Sequence, residues 1–177
     1  SRGSLSTRAA HTIPMTRQHG ATNQATAARS LSCGGALSAT ATTGNMSDSG
    51  NVTVAGTSSF TTSANNATIT LNNTNALTGA VTITTNDDSG TDANATIDNG
   101  TTALILAAST IDGDLSLTSG HASGITDSGT LTVGGNLAAI TDANNGVITL
   151  DQLAVDGTVA LTTNGSGNAT VVNDAAL

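Results

Sequence analysis

The chain has 177 residues, a formal charge of −8 and a single aromatic side chain, Phe60, with no Trp or Tyr. Aromatic side chains carry much of the burial in a broad core, so a wide globule is excluded and a narrow core of small aliphatics is expected. Every acid is Asp and every base is Arg. The missing Glu and Lys remove good helix formers, whereas the abundant Thr, Val, Asn and Gly favour strands joined by tight turns.

Residues 1–46 hold all four Arg, the only Pro (Pro14), two of the three His and no acid. Apolar alternation is poor there, and the segment is expected to be an irregular leader, flexible or adding to a sheet. Residues 36–46 admit a first weak strand. Cys33 stands alone, so no intrachain disulfide is possible. It follows Ser30-Leu31-Ser32 without a preceding hydrophobic run, so a lipid anchor at Cys33 is disfavoured. No stretch is apolar enough for a membrane-spanning helix.

From Ser47 onward the chain carries twelve Asp and no base. Such a surface repels phosphates, so nucleic acid is not an expected partner. Short period-two runs recur at Val52–Val54, Ala67–Leu71, Val81–Thr84, Ala95–Ile97, Leu104–Leu106 and Leu115–Leu117. They continue at Leu131–Val133, Val147–Leu150, Val159–Leu161 and Thr170–Val172. Each run is bounded by Asn, Gly, Asp or Ser, which reads as strand then turn. No segment has a helical apolar stripe, and the spacing between runs is too short for a helical crossover.

Residues 47–71 and 126–150 are near-copies that align without a gap, each residue 79 positions from its counterpart. Ser47-Asp48-Ser49-Gly50 matches Thr126-Asp127-Ser128-Gly129, and Ala64-Asn65-Asn66 matches Ala143-Asn144-Asn145. Gly79–Asn86 also aligns with Gly157–Asn164. The fold class that follows is all-β: a parallel β-solenoid, with an antiparallel β-sandwich as the alternative. The repeat, the small-residue core and Asn at recurring turns, where it tolerates a left-handed backbone and can bond along a ladder, favour the solenoid. The organisation read from this is a leader over 1–46 and a solenoid over 47–177. The solenoid divides into a first repeat at 47–125 and a partial second at 126–177. At roughly 20 residues per coil it makes about six or seven coils.

Five carboxylates are candidate calcium ligands: Asp87, Asp88 and Asp92 in one turn, and Asp112 and Asp114 in another. Calcium takes six to eight oxygens, and these turns supply part of such a shell. The competing reading is that each Asp caps its own turn. A lyase-like set would be Asp87, Asp88, Asp112 and Asp114 with His121, but the repeat region offers no cation to hold an acidic substrate, so no enzymatic activity is expected. Thr68/Thr70 and Thr82/Thr84 form outward Thr-x-Thr pairs, too few and too irregular to predict an ice-binding face. Eight Asn-x-Ser/Thr triplets occur, as a chain this rich in Asn and Thr produces by chance.

The phrases SDSGNVTVAGTSSFTTSANNATITLNNTNALTGAVTITTN and ITDSGTLTVGGNLAAITDANNGVITLDQLAVDGTVALTT resemble filamentous-haemagglutinin-type repeats of giant bacterial exoproteins and adhesins. The resemblance covers about residues 47–177; residues 1–46 do not resemble the secretion domain of that family. It implies a right-handed parallel β-helix on the bacterial surface or outside the cell, without a catalytic motif, that holds adhesive regions away from the cell. The expected function is therefore structural or adhesive, with self-association end to end into a filament and a host or cell-surface glycan or protein as partner. A calcium- or glycan-binding surface module is the alternative, and no cofactor beyond weak calcium is expected.

Overall fold

The computed structural model describes residues 29–88 and 92–174. They form a parallel β-solenoid of about six turns, three strands to a coil. The first coil is β1 (Leu31–Cys33), β2 (Leu37–Ala41) and β3 (Met46–Ser47). The second is β4 (Val52–Val54), β5 (Ser58–Thr62) and β6 (Ile69–Leu71), and the third is β7 (Ala76–Leu77), β8 (Val81–Thr84) and β9 (Ala95–Asp98). The fourth is β10 (Leu104–Leu106), β11 (Ser109–Ile111) and β12 (Leu115–Ser119), and the fifth is β13 (Ile125–Asp127), β14 (Leu131–Val133) and β15 (Leu137–Thr141). In the sixth coil β16 (Ile148–Val155) runs across two faces before β17 (Val159–Thr162), and β18 (Ala169–Asn173) begins the next.

Three faces result. Face 1 carries β1, β4 and β7 and, after a break in the pairing, β10, β13, the first half of β16 and the start of β18, which are continuous with the face-2 sheet through β10–β8 and β16. Face 2 carries β2, β5, β8, β11, β14 and the second half of β16. Face 3 carries β3, β6, β9, β12, β15 and β17. Every strand pairing among the described residues is parallel, which excludes the antiparallel sandwich. Strands on one face are 20 to 26 residues apart, as Ala95↔Leu115 and Ile69↔Ala95 illustrate. At ~4.8 Å per coil the rod is about 30 Å long.

The first coil lies inside the segment read from sequence as an irregular leader; the solenoid is under way by Leu31, not Ser47. Its inward positions on β2 are the buried Leu37, Ala39 and Ala41, and the two alanines are small, so the apolar contrast along the chain is faint. Cys33 lies in β1 packed against the core, its thiol facing the Gly35 and Ala36 carbonyls at 3.6 and 3.4 Å. Residues 1–28, to which the rest of the leader reading applies, lie outside the described residues.

Alternation explains the core. In each strand every second side chain turns inward and stacks on its equivalent in the next coil. One inward column on face 3 reads Leu71, Ile97, Leu117, Ala139 and Leu161. The column is one side chain deep, so its members touch mainly across the tube and along the rod. Not all inward positions are apolar. Thr62, Thr85 and Thr141 are buried at strand ends, and their hydroxyls donate to the carbonyls of Ala67, Ala93 and Gly146 at 3.1, 2.7 and 2.8 Å. Each staples the turn that follows. Ser58, between Leu37 and Val81, is the one buried side chain among the described residues whose polar atom has no partner.

Three asparagines stand in for peptide groups where strand pairing lapses. Asn75 accepts from the Val52 N–H at 2.7 Å and donates to the Leu71 carbonyl at 3.1 Å. Asn99, fully buried, accepts from the Leu77 N–H at 2.8 Å and donates to the carbonyls of Leu77, Thr102 and Ala103 at 3.1, 3.2 and 2.9 Å. Asn173 does the same to both backbone groups of Val155, at 2.8 and 3.0 Å. A carboxamide has the donor and acceptor of a peptide, which leucine or alanine in these places would lack.

One family of corners requires glycine by close approach. Gly135 donates to the Gly113 carbonyl, and Gly157 to that of Gly135, both at 3.0 Å. A Cβ on Gly135 would lie 2.8 Å from the Gly113 carbonyl carbon and 2.9 Å from the Asp114 nitrogen, both backbone atoms that cannot turn aside. Gly135→Ala is therefore expected to cost about 1–3 kcal/mol, seen as a lower denaturation midpoint.

Candidate functional site

The corners hold most of the polar chemistry. Between faces 2 and 3, the residue preceding four of the six face-3 strands lends its side chain to the next coil. Asn45 Oδ1 accepts from the Thr68 N–H at 3.0 Å, Asn94 Oδ1 from Asp114 at 2.7 Å, Asp114 Oδ1 from Asn136 at 2.7 Å, and Asn136 Oδ1 from Thr158 at 2.9 Å. This column borders a shallow groove of about 300 Å³ on face 3, floored by the outward Thr96, Ser116, Ala138 and Ala160. The members recur 20 to 26 residues apart, so only the coil period reveals them in the sequence.

Four of the five candidate calcium ligands meet at one corner. Asp87, Asp88 and Asp92 belong to the loop between β8 and β9, of which residues 89–91 lie outside the described residues. The Asp87 N–H donates to Asp112 Oδ2 at 2.9 Å, and the Asp92 N–H donates to Asp87 Oδ2 at 3.4 Å. The Asn66 amide faces the same loop and, with its nitrogen turned inward, donates to both Asp87 and Asp88. Asp112 and Asp114 diverge. The Asp112 carboxylate reaches back to the third coil, whereas that of Asp114 reaches forward to Asn136 in the fifth. Among the described residues no three His, Cys, Asp or Glu side chains are arranged to hold a metal ion. The carboxylates of Asp87, Asp112 and Asp114 accept N–H donors from their own or a neighbouring turn.

The lyase-like set is not brought together. His121 lies in the turn after β12, its Nδ1 accepting the Ser123 N–H at 3.0 Å, while Asp112 and Asp114 precede β12. The five residues of β12 separate them by ~16 Å at ~3.3 Å per residue. The Thr-x-Thr pairs are also dispersed. Thr82 and Thr84 lie on face 2, Thr70 on face 3, and Thr68 in the corner column. Thr84 belongs to a longer column of Thr40, Thr61, Thr84, Thr110 and Thr132, which local spacing along the chain does not show.

Two Asp residues act as clamps between coils. Asp48 accepts the N–H groups of Asn72 and Asn73, both at 3.2 Å, and the side-chain amides of Asn73 and Asn75 at 2.8 and 2.9 Å. Asp127 accepts the N–H groups of Asp151 and Gln152 at 3.3 and 2.9 Å. No helix among the described residues is long and apolar enough to cross a membrane.

With this geometry in place, one family model matches: repeats of unknown function (DUF5649), over residues 17–84 and again over 92–173. No curated protein and no solved structure matches the chain.

Proposed function

We propose that this chain, which belongs to the family of repeats of unknown function DUF5649, is a structural and adhesive β-solenoid of the bacterial surface or exterior. In this reading it associates end to end with further copies into a rod or filament and performs no catalysis. The observation that carries it is the stack itself, in which the described coils pair in parallel with the coils beside them. β18 keeps this habit: Val171 pairs with the fully buried Leu150 and, itself 44 % exposed, presents an apolar edge that a further coil, of this chain or of another copy, would cover. Apolar side chains and strand edges at a coil end are a template for the next coil. The likeness in wording to filamentous-haemagglutinin-type repeats supports the same reading.

The test is the association of the 177-residue chain, by light scattering across a concentration series and by electron microscopy. Filaments or concentration-dependent growth are expected, with Val171→Asp/Val172→Asp shifting the population toward monomer. Monodisperse monomer at high concentration overturns the proposal. A calcium- or glycan-binding module is the second reading, and the groove on face 3, where Asn94, Asp114 and Asn136 border a floor of Thr96, Ser116, Ala138 and Ala160, is the place it offers a glycan. A saturable heat in calorimetric titration with calcium or an oligosaccharide, with a raised melting temperature, supports it.

A further inference from the structure

The 79-residue repeat and the three-faced coil do not share a period. Each strand of the first copy lies ten strand positions before its counterpart, with β16 counted as two. Ten positions make three coils and one face. Accordingly β4 on face 1 corresponds to β14 on face 2, β5 on face 2 to β15 on face 3, and β6 on face 3 to Ile148–Leu150 on face 1.

The corners travel with the strands. Asp48 clamps the corner between faces 3 and 1, and its counterpart Asp127 makes the same pair of N–H contacts between faces 1 and 2. Gly56 stacks on Gly35 at 3.0 Å between faces 1 and 2, whereas Gly135 stacks on Gly113 at 3.0 Å between faces 2 and 3. The slip has one location. β6 has an asparagine turn before it and the Asp48-clamped bend after it. β9 has features of the first kind on both sides: before it the Thr85 hydroxyl donates to the Ala93 carbonyl as Thr62 does to Ala67, and after it the Thr102 N–H donates to the Asn99 carbonyl as Ala67 does to Ala64, with Gly100 at φ 52°. The interval between the two family matches, 85–91, falls in the turn before β9.

We infer that the repeat is a rotating unit: each tandem copy shows its outer surface on the next face of the rod. An array then presents equivalent surfaces to every side, and three copies, or ten coils, pass before one surface returns to its starting face. A partner that recognises one copy meets the next on the adjoining side, about 16 Å further along at ~4.8 Å per coil. Capture by several copies therefore surrounds the rod instead of following one stripe. This holds whether or not the rod adheres or stacks.

Disulfide trapping in a Cys33→Ser background tests the slip, since neighbouring strands ~4.8 Å apart suit a disulfide. Thr84→Cys/Thr110→Cys joins outward positions paired across β8 and β11. Thr84→Cys/Thr118→Cys would be adjacent only if the glycine corners stayed in one column, with β12 above β8. Thr40→Cys/Thr61→Cys, paired within the first two coils, is the control. After mild oxidation, alkylation and intact-mass measurement should show both thiols lost in the control and in Thr84/Thr110, and both retained in Thr84/Thr118. Closure of Thr84/Thr118, or an open Thr84/Thr110 pair beside a closed control, overturns the inference.

A three-copy chain, with residues 52–130 inserted again after Thr130, extends the test to an array. The inserted Thr53 should take the place of Thr132 beside Thr110, so cysteines at those two positions should link. An insert that leaves the chain unfolded, or folded with this pair open, shows that the unit does not rotate from copy to copy.

Discussion

Asn99→Ala is expected to lower stability by about 3 kcal/mol or more, read from the denaturant midpoint of the far-ultraviolet circular dichroism signal. The carboxamide bonds both backbone groups of Leu77 and the Ala103 carbonyl in a fully buried place. Alanine strands those groups, and each buried polar group left unpaired costs about 1–3 kcal/mol. Asn99→Asp is expected to do no better. It keeps an acceptor for the Leu77 N–H but sets a carboxylate against the carbonyls of Leu77 and Ala103, at 3.1 and 2.9 Å in the parent. Asn72→Ala, at an exposed corner, should change stability by less than ~0.5 kcal/mol. The loss at Asn99 should also change how the rod unfolds. On face 1 no strand pairing joins β7 to β10, and β8 meets the fourth coil through single register pairs to β10 and β11. Solenoid coils interact with nearest neighbours only, so weakening this junction should split one transition into two. A single cooperative transition in Asn99→Ala would show that the junction is not the weak point.

The solenoid was legible wherever inward residues were large and outward residues polar. Val52–Val54, Val81–Thr84 and Leu131–Val133 are β4, β8 and β14 to the residue. β5 was not, because its inward positions are Ser58, Phe60 and Thr62, and β15 was not, because Leu137, Ala139 and Thr141 fade toward its end. In both, a buried hydroxyl staples a turn, and a hydroxyl in the sequence reads as surface. β2 falls within 36–46, which read only as a weak strand because two of its three inward positions are alanines. The 79-residue echo showed that the chain repeats, but not that the repeat is out of step with the coil. That slip depends on where residues 85–103 place one additional turn, and nothing in their composition distinguishes a turn at one corner from the same turn at the next. The acidic turns were visible as acidic. Their partners, such as Asp112 for the Asp87 N–H and Asn136 for Asp114, lie a full coil away and follow only from the register.

Leu117→Ala should cost about 2–5 kcal/mol, while Ser116→Ala, one residue away, should cost less than ~0.5. Leu117 is fully buried on β12 between Ile97 and Ala139, and Ser116 faces outward between Thr96 and Ala138. The larger figure is favoured by the surroundings. Ala139, on one side of it in the column, is already small and cannot fill the space. The backbone cannot close it either, because β12 is held between β9 and β15 by parallel ladders on both sides. Removing the side chain therefore leaves a cavity in a core one residue thick, where each inward residue supports the coils above and below it. The check is a pair of denaturation curves on otherwise identical chains. Equal midpoints for the two variants would mean that the inward column does not carry the rod's cohesion, and that the corner hydrogen bonds alone hold the coils in register.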